Sequence, residues 1–122
     1  MSVSEVLYNF WSGFGIPAYD ENTVPDEAVM PYITYEVSDS FFGAMTDMSQ
    51  SASIYYHSTS WVEISEKADQ IAEFIGRGGR MLAVDGGAIW IKRGSAWAQR
   101  MPETADRMVR RIVLNYEVEF IK

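Results

Sequence analysis

The 122-residue sequence contains no cysteine and a single histidine. The absence of cysteine excludes disulfides, thiolate zinc sites and thiol catalysis. His57 has no matched carboxylate motif around it, and we interpret it as a strand-end residue rather than a ligand or base. We therefore expect no enzyme activity, no metal and no cofactor. Long apolar runs are also missing, since no stretch approaches the roughly 20 residues that a membrane span needs, and residues 1–5 lack the pattern of a signal peptide.

Basic residues are scarce. The chain has 10 Lys and Arg against 17 Asp and Glu, which gives a net charge of −7. An acidic protein has no general attraction for phosphate backbones, so this balance disfavours wrapping of nucleic acid. Hydrophobic residues make up 48% of the chain and aromatic residues 14%. That content is enough for a buried core, and the length favours one domain over residues 1–122.

The most regular pattern lies at Ser60 to Ile75 and predicts an amphipathic helix. Apolar residues recur there at steps of three and four, which places them on one helical face: Trp61, Ile64, Ala68, Ile71 and Ile75. Ser60 and Glu63 have capping-box spacing, and Gly76 follows as a left-handed stop. An N-terminal helix is predicted by the same spacing, with Ser2 and Glu5, or Ser4 alone, as its cap. Its apolar residues are Val3, Val6, Leu7, Phe10, Trp11 and Phe14.

The rest of the chain reads as strands and connections. Alternating or apolar runs predict strands at 32–37, 51–58, 81–84, 88–91 and 107–121. Asp85-Gly86-Gly87 predicts a hairpin, because glycine tolerates the positive φ of such turns. Four segments read as connections: the acidic 18–30, the glycine-rich 76–80 and the longer 38–50 and 94–106. We therefore predict an α+β domain, with an antiparallel sheet of strands of mixed length and two helices packed on one face.

The final strand alternates cleanly between an apolar and a polar face. One face carries Met108, Ile112, Leu114, Tyr116, Val118 and Phe120, interrupted by Arg110. Basic residues cluster at the start of the strand and acidic residues at its end. This arrangement suits head-to-tail contact between copies, with Arg110 and Arg111 of one subunit near carboxylates such as Glu117 and Glu119 of the next.

Two connections carry more large side chains than solvated loops usually do. Phe41, Phe42, Met45 and Met48 lie within 38–50, and Trp97 and Arg100 lie within 94–106. The segment 38–50 either folds over the core as a tucked-in loop or forms a subunit or partner interface, because exposed apolar clusters mark binding surfaces. For the interface alternative, Phe41 and Phe42 are the expected anchors. We expect Met45, Met48, Trp97 and Arg100 to belong to the subunit or partner interface as well.

Three short runs carry a resemblance to a known family: Gly-Ile-Pro-Ala-Tyr at 15–19, Val-Pro at 24–25 and Met-Pro-Tyr-Ile-Thr-Tyr at 30–35. With the later helix, hairpin and long last strand, the chain resembles the tail terminator (tail completion, minor capsid) proteins of long-tailed bacteriophages and prophages. The resemblance implies a structural virion protein that forms a ring, commonly a hexamer, at the end of the tail tube. Such a ring ends tail polymerisation and provides the head–tail joining surface.

The implied partners are further copies of the chain, the major tail tube protein and the head connector or stopper protein. DNA would only pass through the ring, without specific binding, and no membrane is involved. The implied location is the tail of the virion, with the host cytoplasm during assembly. The alternative is a small α+β ligand-binding or adaptor domain. A ligand site would need convergent polar groups; the candidates, His57, Asp85 and the arginines 107, 110 and 111, show no motif.

Overall fold

The computed structural model describes residues 1–36, 47–102 and 105–121. A short 3₁₀ turn, Ser12–Phe14, follows the first helix. The helices and strands in chain order are α1 Val3–Trp11, β1 Ala18–Asp20, β2 Tyr32–Tyr35, β3 Asp47–His57, α2 Val62–Ile75, β4 Arg80–Val84, β5 Gly87–Met101 and β6 Val109–Ile121.

The strands form one mixed sheet in the order β1-β2-β3-β6-β5-β4. Strands β1 and β2 are parallel, and the remaining neighbours are antiparallel. The wholly antiparallel sheet was therefore a wrong expectation, and so was the purely loop-like reading of 18–30. Strand β1 has only three residues and shows no periodicity, so its pairing with β2 makes it a strand.

Both helices cover the same face of the sheet. Strand β6 turns four fully or nearly buried residues to that face: Ile112, Leu114, Tyr116 and Val118. The Trp11 ring of α1 lies 5.3 Å from the Tyr116 ring, measured between centroids. The α2 stripe of Ile64, Ala68, Ile71 and Ile75 is buried in the same core, with Trp61 packed beside it. The predicted α+β class and the helix stripe are confirmed.

The helix ends agree with the sequence only in part. Ser2 and Glu5 form the predicted capping box of α1. Helix α2 begins at Val62 and has no side-chain cap, so the predicted capping box at its start is wrong. The Ser60 hydroxyl instead accepts a hydrogen bond from the Val62 N–H at 3.1 Å, which closes a turn before the helix. Gly76 has the expected positive φ of 77°, but its ψ of 171° is extended rather than helical.

Two strands are longer than predicted. Strand β3 begins at Asp47, so the end of the segment 38–50 is strand rather than loop. Strand β5 continues to Met101 past a bulge between Arg93 and Ala98, so the predicted connection 94–106 is mostly strand. Asn115 stabilises this bulge, because its Nδ2 donates hydrogen bonds to the Ala96 carbonyl at 2.8 Å and to Gln99 Oε1 at 2.9 Å.

The hairpin between β4 and β5 is confirmed. Val84 pairs with Gly87 across a two-residue loop, Asp85-Gly86, and Gly86 has a φ of +81°. The last strand begins two residues later than predicted. Asp106 forms a turn before it, since its Oδ1 accepts from the Met108 N–H at 2.8 Å.

Candidate subunit interface

The second face of the sheet is not covered by α1 or α2, which both pack on the first. Alternation along β6 sends every second residue to this open face, and all seven are half-buried: Val109, Arg111, Val113, Asn115, Glu117, Glu119 and Ile121. A sheet with one face in the core and one face toward solvent or a partner is typical of antiparallel architecture. We use the name open face for this surface.

A row of aromatic rings crosses one end of the open face. The ring centroids of Tyr19 and Tyr32 are 5.8 Å apart, and those of Tyr32 and Tyr55 are 5.2 Å apart. The Arg111 guanidinium lies 5.5 Å from the Tyr55 centroid and extends the row. Its Nε and Nη2 donate to the Ser53 hydroxyl at 3.2 Å and 3.1 Å. Arg111 is thereby held against the sheet with its charge on the open face.

The tyrosine row combines apolar rings with polar ends. Partial burial raises the pKa of Tyr32, and its neighbours Tyr55 and Tyr19 add to the rise. The hydroxyl therefore stays a neutral donor across the physiological range. Rings of this kind provide large contact areas with a polar group at the tip, which is why tyrosine and arginine are enriched at protein interfaces.

The other end of the open face is acidic. Glu117 and Glu119 lie there, and Glu117 Oε2 is 3.9 Å from Lys92 Nζ. Glu36 lies level with the middle of β6, since its Oε1 accepts from the hydroxyl of Ser51, the partner of Asn115, at 2.8 Å. Arg111 and Glu119 are eight residues apart on one strand, or about 26 Å at the usual rise per residue. Arg111 thus lies at one end of the open face and Glu117 and Glu119 at the other, and Arg111 and Glu119 are too far apart to pair within one copy. Lys92 offsets part of the charge of Glu117, and Glu21 interacts with the charge of Arg111.

Arg110 lies on the opposite face from Arg111. Its guanidinium is 5.3 Å from the Trp61 ring centroid, and Arg100 approaches the same ring at 4.9 Å. Arg110 Nη2 donates to the Thr59 carbonyl at 3.0 Å, and Nη1 donates to the Arg107 carbonyl at 2.7 Å. Since the two arginines point to different faces, one flat contact with a neighbouring copy cannot use both. Arg111 is the better placed for a contact through the open face.

The other predicted interface residues have mixed positions. Trp97 is half-buried and its Nε1 donates to the Ala68 carbonyl of α2 at 3.4 Å, so it packs against the core. Met48 is half-buried on the helix side of β3, opposite Val118. Arg100 is exposed. Phe41, Phe42 and Met45 lie outside the described residues.

Sequence reasoning missed the tyrosine row. Tyr32 and Tyr55 fell in predicted strands, but Tyr19 lay in a predicted connection. The sequence therefore provided no reason to place the three tyrosines on one face of the sheet. Their register follows from the pairing of β1 with β2 and of β2 with β3. Within the ranges that the structure describes, there is no cluster of three His, Cys, Asp or Glu residues that could hold a metal. Neither helix of the described chain has the length and apolar character to cross a bilayer.

The chain is similar in structure to a chain of a particle described as the virion of a native gene transfer agent. The TM-score is 0.62 at 16% sequence identity, and the match covers 98% of this chain and 94% of that chain. At this identity the likeness establishes a shared fold over nearly the full length of both chains. No family model matches the sequence, and no curated protein matches it at a significant level.

Proposed function

We propose that this chain is a structural protein of a phage-type virion, with a structural rather than an enzymatic role. The observation that carries the proposal is the near-complete overlap of its fold with a chain from a gene transfer agent virion. The resemblance to tail terminator proteins points the same way. Its distinctive local sequence lies in residues 15–35, and the order of the later helix, hairpin and last strand extends it along the chain.

The finer proposal is a ring-forming tail terminator, most simply a hexamer at the end of the tail tube. The ring would end tube polymerisation and present a surface to the head connector or stopper protein. Its location would be the virion tail, after assembly in the host cytoplasm. The net charge of −7 fits a passage for DNA, because like charge disfavours adhesion to the phosphate backbone.

The open face supports a contact between copies. Its positive end carries Arg111 and the tyrosine row, and its negative end carries Glu117 and Glu119. A head-to-tail arrangement places the positive end of one copy against the negative end of the next, which repeats around a closed ring. Phe41 and Phe42 remain predicted anchors for a contact with a neighbouring copy or the tube.

Assembly in vitro tests this role. Tail tube protein from the same genome is allowed to polymerise with and without the chain, and tube length and ends are scored by negative-stain electron microscopy. We expect short tubes that carry a ring at one end, with length falling as the chain is added in excess. Arg111→Glu should remove the effect while the variant stays folded by circular dichroism. Tubes of unchanged length and bare ends would overturn the terminator role.

A further inference from the structure

Among the residues that the structure describes, strand β4 is the outermost strand of the sheet, and no further strand pairs with its outer edge. In a hairpin with a two-residue loop, the flanking residues form a hydrogen-bonded pair, and such pairs then alternate along the strands. The loop is flanked by Val84 and Gly87. The backbone groups of Val84, Leu82 and Arg80 therefore point to β5, and those of Ala83 and Met81 point to the open edge.

Met1 of the same chain already occupies the first hydrogen-bonding position along this edge, at Asp85. The backbone N–H of Asp85, which has the same orientation as that of Ala83, donates to the Met1 carbonyl at 2.8 Å. The Met1 ammonium also pairs with Asp85 Oδ1 at 2.6 Å. Within the described parts of the chain, Ala83 and Met81 make no further backbone hydrogen bond on that side. The N–H and C=O groups of Ala83 and Met81 therefore remain available along the edge, next to the position where Met1 binds.

An apolar groove runs beside these free backbone groups. Its volume is about 410 Å³, and it lies between α1, the end of α2 and β4. Val6, Phe10 and Phe14 form its floor, and Phe74 and Met81 remain 44% and 52% exposed at its rim. Exposed residues of this size around a groove are typical of a binding surface rather than of a bare monomer surface.

We propose that the groove binds an extended peptide strand from another protein, which adds to the sheet at β4. Only an extended backbone can satisfy alternating N–H and C=O groups along a strand edge. Its side chains then alternate, and every second one enters the space beside α1. This is the geometry of strand addition, in which main-chain hydrogen bonds provide affinity and pockets select side chains. The inference does not rest on the proposed ring.

The charges at the groove define the peptide further. Arg80 at the start of β4 is exposed, with its Nε on the Phe74 carbonyl at 2.8 Å and its guanidinium 3.8 Å from the Phe74 ring centroid. Arg77 is also exposed nearby. An antiparallel partner would bring its C-terminal end to these arginines. The fitting segment therefore has small apolar residues at alternate positions and an acidic residue at its C-terminal end.

The proposal is tested by titrating the ¹⁵N-labelled chain with a designed peptide and recording the chemical shifts of the chain's amides. The probe is acetyl-Val-Thr-Val-Thr-Val-Asp-amide. Bound as an added strand, it points its valine side chains toward α1 and the backbone N–H groups of its threonines toward β4. We expect saturable shifts at the amides of Ala83 and Met81. Methylation of the two threonine amides should weaken binding about tenfold or more, since each removes a hydrogen bond. Methylation of the second and third valine amides, which face away from β4, is the matched control and should have little effect.

A pair of variants at one position gives the complementary test. Ala83→Pro removes the outward N–H at an edge strand, where proline is tolerated, and should abolish the shifts. Ala83→Val keeps the N–H and should bind as the parent does. Equal binding of both methylated peptides would mean a general apolar pocket and would overturn strand addition. Self-association that Ala83→Pro abolishes would make the occupant a second copy of the chain, which would also overturn the proposal.

Discussion

The burial of α2 leads to the sharpest stability prediction. Ile71 is 0% exposed and lies in the core cluster with the buried β6 residues Ile112, Leu114 and Tyr116. Ile71→Ala removes methyl and methylene groups from a site enclosed on all sides, where the neighbours can collapse only in part. We expect the free energy of unfolding to fall by about 2–5 kcal/mol.

Two further variants calibrate that figure. Ile71→Val deletes one methylene at the same site and should cost about 0.5–1.5 kcal/mol. Val62→Ala lies on the same helix at 61% exposure and should stay within about 0.5 kcal/mol of the parent. The graded series separates the effect of core packing from an effect of helix propensity, because alanine is the better helix former at both positions.

Urea unfolding at low protein concentration measures all three variants. Concentration must be varied, since an assembled form would add stability by mass action. The urea midpoints should fall in the order of methylenes lost, with slopes near that of the parent. A loss below about 1 kcal/mol for Ile71→Ala would refute the packing of α2 on the sheet.

Three other predictions follow from single sites. If the two ends of the open face meet between copies, Arg111→Glu should prevent assembly and Glu119→Arg in the same chain should partly restore it, as measured by light scattering. Gly79→Ala should destabilise clearly more than Gly78→Ala in thermal melts, since Gly79 has a φ of +82° and an added Cβ would meet Trp90 Nε1 at 2.5 Å, while nothing lies within 4 Å at Gly78. Burial raises the pKa of the Tyr116 hydroxyl in the folded chain above its ordinary value of 10.0. Just above pH 10.0 the unfolded chain therefore loses the Tyr116 proton while the folded chain keeps it, so the free energy of unfolding should fall as the pH rises further. Tyr116→Phe should flatten this alkaline decline in urea midpoints.

Local periodicity predicted the parts of the fold that local sequence controls. The apolar stripe of α2, the capping box at Ser2 and Glu5, the Asp85-Gly86 loop and the alternation of β6 all depend on residues within a few positions of one another. Each was confirmed by hydrogen bonds, strand pairing or burial. These features need no knowledge of distant segments, which is why a single sequence contains enough information for them.

Long-range pairing set the parts that were missed. Strand β1 exists because β2 lies beside it, and the second half of β5 exists because β6 and Asn115 hold the bulge. The same limit applied to the candidate interface. From the sequence we interpreted Arg110 and Arg111 as one basic group, but strand alternation places their side chains on opposite faces of the sheet. The groove beside β4 was invisible because it joins α1, the end of α2 and an edge strand that are distant in sequence.

The mass of the assembled protein tests the central proposal most directly. Native mass spectrometry of the purified chain should be run across a range of concentrations, with Arg111→Glu as the variant control. We expect a closed species of about 83 kDa, six times the 13.8-kDa chain, that forms with rising concentration and is lost in the variant. A chain that stays at 13.8 kDa at all concentrations and also in the presence of tail tube ends would contradict the ring.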